Sequence, residues 1–321
     1  MTNRELADTF ITAWQKGQQT FELTTSGSTG APTTITLQRA HMQWSARNTG
    51  SILKPLPTDS ILCCLPCNKV GGLMMLVRAL EWQIPLEITE PSSNPYSTAF
   101  KASLVSLTPH QLHTILKDKK STEHLLSARA VLLGGGMLDS GLENRLKEQP
   151  FNNTIFYHTY GMTETYSHIA LRAVNGPEAS PYFKPFADVK ISVNENQCAV
   201  ITLPISHPPL VTSDIIQLQP DGHFTVTGRA DFIINTGGVK LQPEFIEKAI
   251  HEKLNPPYAF IVKGEADAAL GERLVLLAEK QFDYTLDDLQ FLKTIHPYAV
   301  PKEIKITDLL ERNEGGKIKR K

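Results

Sequence analysis

Along the first half of the chain, short apolar runs alternate with stretches whose apolar residues recur at helical spacing. SILCCL (60–65) precedes GGLMMLVRALEW (71–82), ASLVSL (102–107) precedes PHQLHTILKD (109–118), and ARAVLL (128–133) precedes DSGLENRLKE (139–148). Strand followed by helix, repeated, predicts an α/β architecture with largely parallel strands. Thr108 before Pro109 supplies a capped helix start. The first residues, MTNRELADTF, read as an amphipathic helix with Leu6, Phe10 and Trp14 on one side. From about Asp188 to Val226 the pattern changes to KISV, CAVITL, SDIIQL and HFTV, with PDG as a turn, which predicts strands and tight connections. Beyond it, PEFIEKAIHEKL and LDDLQFLKTI read as helices, and AFIVKG and RLVLLAE as strands, in a small α+β unit. The expected division is residues 1–228 as a large domain and 229–321 as a small one.

Composition narrows the class. A chain of 321 residues buries a sizeable core. Lys and Arg number 32 against 33 Asp and Glu, so no basic surface for nucleic acid is expected. The apolar run from Leu73 to Val77 stops at Arg78, far short of a membrane span, and no signal-peptide core opens the chain, so a cytoplasmic location is expected. Cys63 and Cys64 are neighbours in a strand-like run and point to opposite faces, so the four cysteines read as buried thiols rather than a zinc site or a disulfide framework.

Four polar motifs stand apart from this apolar pattern. TTSGSTGAP (Thr24 to Pro32) lies between FELTT and TTITL, a strand–loop–strand setting with no GK[ST] and no following helix, which excludes a P-loop. Gly27 and Gly30 let backbone N–H groups approach an anion, and the Ser26, Ser28 and Thr29 hydroxyls can donate to it. YGMTET (Tyr160 to Thr165) places the lone acid Glu164 amid small polar residues, which suits Mg²⁺ held by one carboxylate and phosphate oxygens. Upstream, Gly134, Gly135 and Gly136 end the ARAVLL strand, where open α/β sheets bind nucleotides. TGRADFIINTGG (Thr227 to Gly238) reads as a linker and hairpin, and GGKIKRK closes the chain as either a basic tail or a glycine-led loop.

Together and in this order, the motifs resemble the adenylate-forming superfamily of acyl-CoA synthetases, non-ribosomal adenylation domains and luciferases. The resemblance implies activation of a carboxylic acid with ATP and Mg²⁺, then transfer to the thiol of coenzyme A. It implies nucleotide contacts from Thr25, Ser26, Gly27, Ser28, Thr29 and Gly30 and from the Gly134–Gly136 wall. Tyr160 would pack on adenine, Thr163 would contact phosphate and Glu164 would hold the metal. Asp214 would pair with the ribose hydroxyls, two acceptor oxygens meeting two donors, and Arg229 would approach ribose or phosphate. Asp231 falls at the family's hinge for a swinging small domain, and Gly237 and Gly238 at the coenzyme A channel. Lys317 matches the lysine that bridges the attacking carboxylate and the α-phosphate, an electrostatic role.

Two departures stand out. Thr33 occupies a position where the family has lysine, which removes one phosphate-facing cation. Far fewer residues precede the glycine-rich loop than in the family, so much of the N-terminal subdomain is expected to be missing. Its loss would open one wall of the acyl site or leave a surface for self-association into a homo-oligomer. On the acyl side, LPCNKVGGLMMLVRAL and YHTYGMTETYSHIALR resemble o-succinylbenzoate–CoA ligases of menaquinone biosynthesis. Lys69 stands where that group has histidine. Arg78, on an otherwise apolar helix, is either salt-bridged or snorkelling, or the bidentate partner of a second substrate carboxylate. His168 is either an acyl-pocket residue or an ordinary packed histidine. Two other readings stay open: a ligase for another aryl or fatty acid, and a non-catalytic nucleotide-binding relative.

Overall fold

The computed structural model describes residues 1–26, 32–97, 101–148, 151, 153–205, 208–256, 258–280, 282–312 and 318–320, with side chains at 25, 26, 32 and 33 excluded. The chain forms two compact units. The first comprises Met1–Leu138, Leu146–Val189 and Leu203–Ser206; the second comprises Asp139–Arg145, Lys190–Thr202 and His207–Lys321.

The first unit is built on a seven-stranded sheet. Its spatial order is Leu86–Ile88, Ile61–Cys63, Leu104–Leu107, Ala130–Leu133, Ile155–Met162, Ser167–Ala173 and Lys184–Pro185. The first five strands run parallel and the last two are added antiparallel. Ile61–Cys63 and Ala130–Leu133 are buried throughout, as continuous apolar runs in a doubly covered parallel sheet should be. The helix Val70–Trp82 is buried from Gly72 to Ala79, which explains why it is apolar almost all round. Gly72 permits its close docking, since a Cβ there would lie 2.3 Å from the Pro66 carbonyl oxygen. Pro109–Ile115 begins with a capping box between Thr108 and Gln111. Helix Asn3–Gln15 buries Phe10 and Trp14 as expected, with Ala7 rather than Leu6 completing its inner face.

The second unit combines a four-stranded antiparallel sheet with a five-stranded sheet. The smaller sheet runs Lys190–Val193, Cys198–Thr202, Leu210–Leu218, Phe224–Arg229. The larger one packs Ile246 and Ile250 of helix Pro243–Leu254 against Phe260, Val262, Leu274 and Leu276. The units part near Val189, upstream of residue 228, because helix Pro243–Leu254 also packs on strand Phe224–Arg229. The expected helix over LDDLQFLKTI is replaced by turns and a short 3₁₀ segment, Gln290–Thr294. Leu289 and Leu292, three apart, both enter the core, a spacing that 3₁₀ geometry aligns.

Candidate active site

At the carboxyl ends of the parallel strands, three connections converge in the first unit. Strand Leu104–Leu107 leads to Thr108, Ala130–Leu133 leads to Gly134–Gly136, and Ile155–Met162 leads to Thr163. Gly135 has φ +79°, and a Cβ on Gly134 would lie 2.7 Å from the Thr159 hydroxyl, so both positions require glycine. This edge is where doubly wound sheets bind nucleotides.

YGMTET is the tight corner between antiparallel strands Ile155–Met162 and Ser167–Ala173. The register shifts after Tyr160, and a Cβ on Gly161 would sit 2.1 Å from the Ser167 carbonyl oxygen. Glycine is therefore compulsory at the bulge. Thr165 Oγ1 accepts from the Met162 N–H at 2.9 Å and lies 2.7 Å from the Ser167 carbonyl, which closes the turn Thr163–Thr165. Thr163 is half-buried at its tip; Glu164 is exposed and makes no ion pair among the described residues. Tyr160 is buried, its ring centroid 5.9 Å from that of Phe183. Past the turn, Tyr166 and Ser167 have φ of +63° and +151°, two successive strained residues. The Tyr166 hydroxyl is fixed 2.8 Å from His41 Nδ1.

Beneath this corner lies Arg78, only 2% exposed. Its Nη2 donates to Ser167 Oγ at 3.0 Å and faces His168 Nδ1 at 3.4 Å, while Nη1 faces Met75 Sδ at 3.4 Å. Nε is buried without a partner, and no carboxylate among the described residues reaches the guanidinium. Burial pulls it down to about 9. Its partners are neutral, so among the described residues it does not form the salt bridge that the sequence left open. His168 is also buried; desolvation first, and Arg78 second, hold its imidazole well below its usual range. Its Nε2 lies 2.9 Å from Thr49 Oγ1.

Lys69 caps helix Val70–Trp82, and its Nζ donates to the Thr24 carbonyl at 3.4 Å, beside the strand that leads into the glycine-rich loop. Lys69, Thr24, Phe10, Phe21 and Leu73 line a cavity of about 390 Å³ to which Arg78 does not contribute.

In the second unit, Asp214 and Arg229 face each other across neighbouring strands. Arg229 Nη1 donates to Asp214 Oδ1 at 3.0 Å, and its Nε and Nη2 grip Asp231 at 2.9 and 2.8 Å. The Asp231 hydrogen bonds raise the Arg229 guanidinium further. Gly237 and Gly238, at φ +55° and +79°, form the two-residue turn between Ile234–Thr236 and Val239–Leu241. A Cβ on Gly237 would lie 2.6 Å from the Tyr298 ring. Turn geometry thus demands both glycines whatever passes beside them. Gly27–Gly30 and Lys317 lie outside the described residues, and only the backbone is described at Thr25 and Ser26. Near Lys317 the flanks are firm: Arg312 bridges Ile318, and the Lys319 N–H donates to the Glu311 carbonyl at 2.8 Å. Arg320, which a mere basic tail would leave solvated, forms a bidentate pair with Glu247 at 2.7 and 2.5 Å. Thr49, Ser167 and Glu247 carried no signal in the sequence, since their partners lie far away along the chain or depend on turn geometry.

The gathered metal-ligand chemistry is sparse: among the described residues no group of three or more His, Cys, Asp or Glu could hold a metal. A single exposed carboxylate such as Glu164 is compatible with Mg²⁺, which keeps water and substrate oxygens as most of its ligands. No helix among them is long and apolar enough to cross a membrane.

Comparison with known proteins agrees with this layout. The chain is 34% identical to an acyl-CoA synthetase (AMP-forming)/AMP-acid ligase II-like protein from Dyadobacter fermentans, covering 98% of this chain and 91% of that one with a TM-score of 0.66. It is 27% identical to the 2-succinylbenzoate–CoA ligase of Listeria monocytogenes over 98% of its own length and 73% of that relative's. The fold matches o-succinylbenzoate CoA synthetase (MenE) from Bacillus subtilis, in complex with the acyl-adenylate intermediate OSB-AMP, at a TM-score of 0.77 and 20% identity, covering 93% of this chain and 67% of that one. The AMP-binding enzyme model matches residues 14–200, more than half of the chain. The chain belongs to the AMP-binding enzyme family, as an AMP-forming CoA ligase.

Proposed function

We propose that this ligase activates o-succinylbenzoate and passes it to coenzyme A, the acid–thiol ligase step of menaquinone biosynthesis. One observation carries the choice of acid: Arg78 is a buried cation with no carboxylate partner among the described residues. An isolated buried charge is costly unless a ligand completes it. A diacid supplies that partner through the carboxylate that does not react, by a charge-assisted bidentate pair. The name of the Listeria relative and the bound intermediate in the Bacillus structure support the same acid.

In the proposed reaction the aliphatic carboxylate attacks the α-phosphorus of ATP, pyrophosphate leaves, and an acyl-adenylate forms. The thiolate of coenzyme A then attacks the acyl carbon and AMP leaves. Lys317 holds the two anions together in the first step, and its charge offsets what builds up in the transition state. Thr163 contacts phosphate. Glu164 would hold Mg²⁺, which neutralises phosphate charge when bound. The Gly134–Gly136 connection and Tyr160 form the adenine side, the glycine-rich loop from Thr25 to Gly30 cradles phosphate, and Asp214 takes the ribose hydroxyls. Arg229 clamps Asp214 and the hinge residue Asp231 from one guanidinium. It thereby orients the ribose acceptor rather than meeting phosphate itself. Gly237 and Gly238 border the pantetheine path. Lys69, beside Thr24, stands in for the cation lost at Thr33.

ATP–pyrophosphate exchange over a small panel of acids tests the substrate. Exchange should be fastest with o-succinylbenzoate and should fall sharply with the analogue that lacks the ring carboxylate. Equal exchange with both would remove the basis for the assignment.

A further inference from the structure

We infer that Thr49 and His168 are positioning residues that aim Arg78 at the substrate's second carboxylate without neutralising it, and so set the preference for a diacid. This rests on the reading of Arg78 above. Thr49 lies on helix Arg39–Leu53, outside every motif in the sequence, and is fully buried. Its hydroxyl donates to the Ser45 carbonyl at 3.0 Å, so towards His168 Nε2, 2.9 Å away, it can only accept. The imidazole proton is thereby assigned to Nε2, and Nδ1 presents its lone pair to Arg78 Nη2 at 3.4 Å.

The chain Ser45–Thr49–His168–Arg78 thus ends in a neutral acceptor. Ser167 adds a second neutral acceptor at 3.0 Å, presented from strained backbone at φ +151°. A carboxylate in either place would hold the guanidinium as firmly but would use up its charge. Neutral acceptors fix its direction and leave the charge for the ligand. A protonated imidazole would repel Arg78; burial of the ring, packed 5.7 Å from Phe186, keeps it neutral. The other tautomer would turn an N–H against Arg78 and break the arrangement, and the Thr49 hydroxyl is what forbids it.

The test compares o-succinylbenzoate with the analogue lacking its ring carboxylate, in the full-length enzyme. Thr49→Val keeps the shape and removes the acceptor. Loss of one hydrogen bond predicts a rise of about five-fold in KM for the diacid. The kcat, the KM for ATP and the KM for the analogue should stay unchanged, and Thr49→Ser should restore the wild-type value. Should Thr49→Val fold poorly, His168→Asn and His168→Leu replace it. The amide oxygen of Asn takes the Nδ1 position and should keep the preference for the diacid, and Leu should abolish it. If wild type prefers the diacid and Thr49→Val, or His168→Leu in its place, keeps the same preference, the positioning role is overturned while Arg78 stands. If wild type shows no preference at all, the Arg78 reading itself has failed.

Discussion

Two arginines, buried Arg78 in the first unit and half-buried Arg320 in the second, are treated in opposite ways. Arg320 is gripped by both oxygens of Glu247 and also donates to the Val262 carbonyl at 3.1 Å. Burial opposes its charge, but the Glu247 bonds and attraction outweigh that and raise its guanidinium. Glu247 for its part accepts from the Val262 N–H at 2.6 Å, although burial still pushes its carboxyl upward. Arg78 is buried deeper and receives only two neutral acceptors and a thioether. The first arrangement is complete in itself and serves the fold, anchoring the segment just beyond Lys317. The second is incomplete, and its missing element has the chemistry of a carboxylate. Burial, full or partial, is common to the two, and the counter-charge is what separates them.

Breaking each arginine should therefore give opposite results. Arg320→Met leaves the half-buried Glu247 without its counter-charge, so it should destabilise the chain by about 3 kcal/mol in denaturant unfolding. Arg78→Met removes a charge that the free protein leaves uncompensated. Its unfolding midpoint should equal the wild type's or rise, by about 1 kcal/mol or more, even as the KM for the diacid climbs. A large loss of stability in Arg78→Met would mean that the guanidinium serves the core.

His168 gives a pH-dependent version of the same contrast. Its folded pKa is depressed, so the unfolded chain binds the proton more tightly. Stability is then lost as pH falls below about 6.5, with a slope of up to about 1.4 kcal/mol per pH unit from this group. His168→Asn should flatten that slope in unfolding measured across the acid range, while an unchanged slope would place the titration elsewhere. The smallest stability effect belongs to Glu164→Gln, within about 0.5 kcal/mol for an exposed turn residue. The same variant should weaken adenylation at limiting Mg²⁺, and wild-type behaviour there would remove it as the metal ligand.

Much of this was legible in the chain before any coordinates. The strand–helix alternation of the first unit follows from runs such as SILCCL and GGLMMLVRALEW, whose periods differ plainly. YGMTET and the triple glycine announce themselves because polar and small residues interrupt that pattern. The helix at 286–295 was misread because its apolar spacing suits a 3₁₀ turn as well as an α-helix. Helix Pro243–Leu254 packs on strand Phe224–Arg229, a contact that no local pattern announces. Arg78 was visible as a charge on an apolar helix, but its lack of an acid partner was not. That depends on Ser167 and His168, brought to it by a bulge at Gly161, and on Thr49 from a separate helix. Such contacts are set by tertiary packing and leave no local period to read.

The most direct measurement is a cycle that pairs Arg78 and Arg78→Met with o-succinylbenzoate and its analogue lacking the ring carboxylate. Adenylation kcat/KM is determined for all four combinations. If the buried guanidinium and the ring carboxylate complete each other, their coupling energy should be about 2–5 kcal/mol. A coupling below about 0.5 kcal/mol would show the two groups to be independent and would contradict the account.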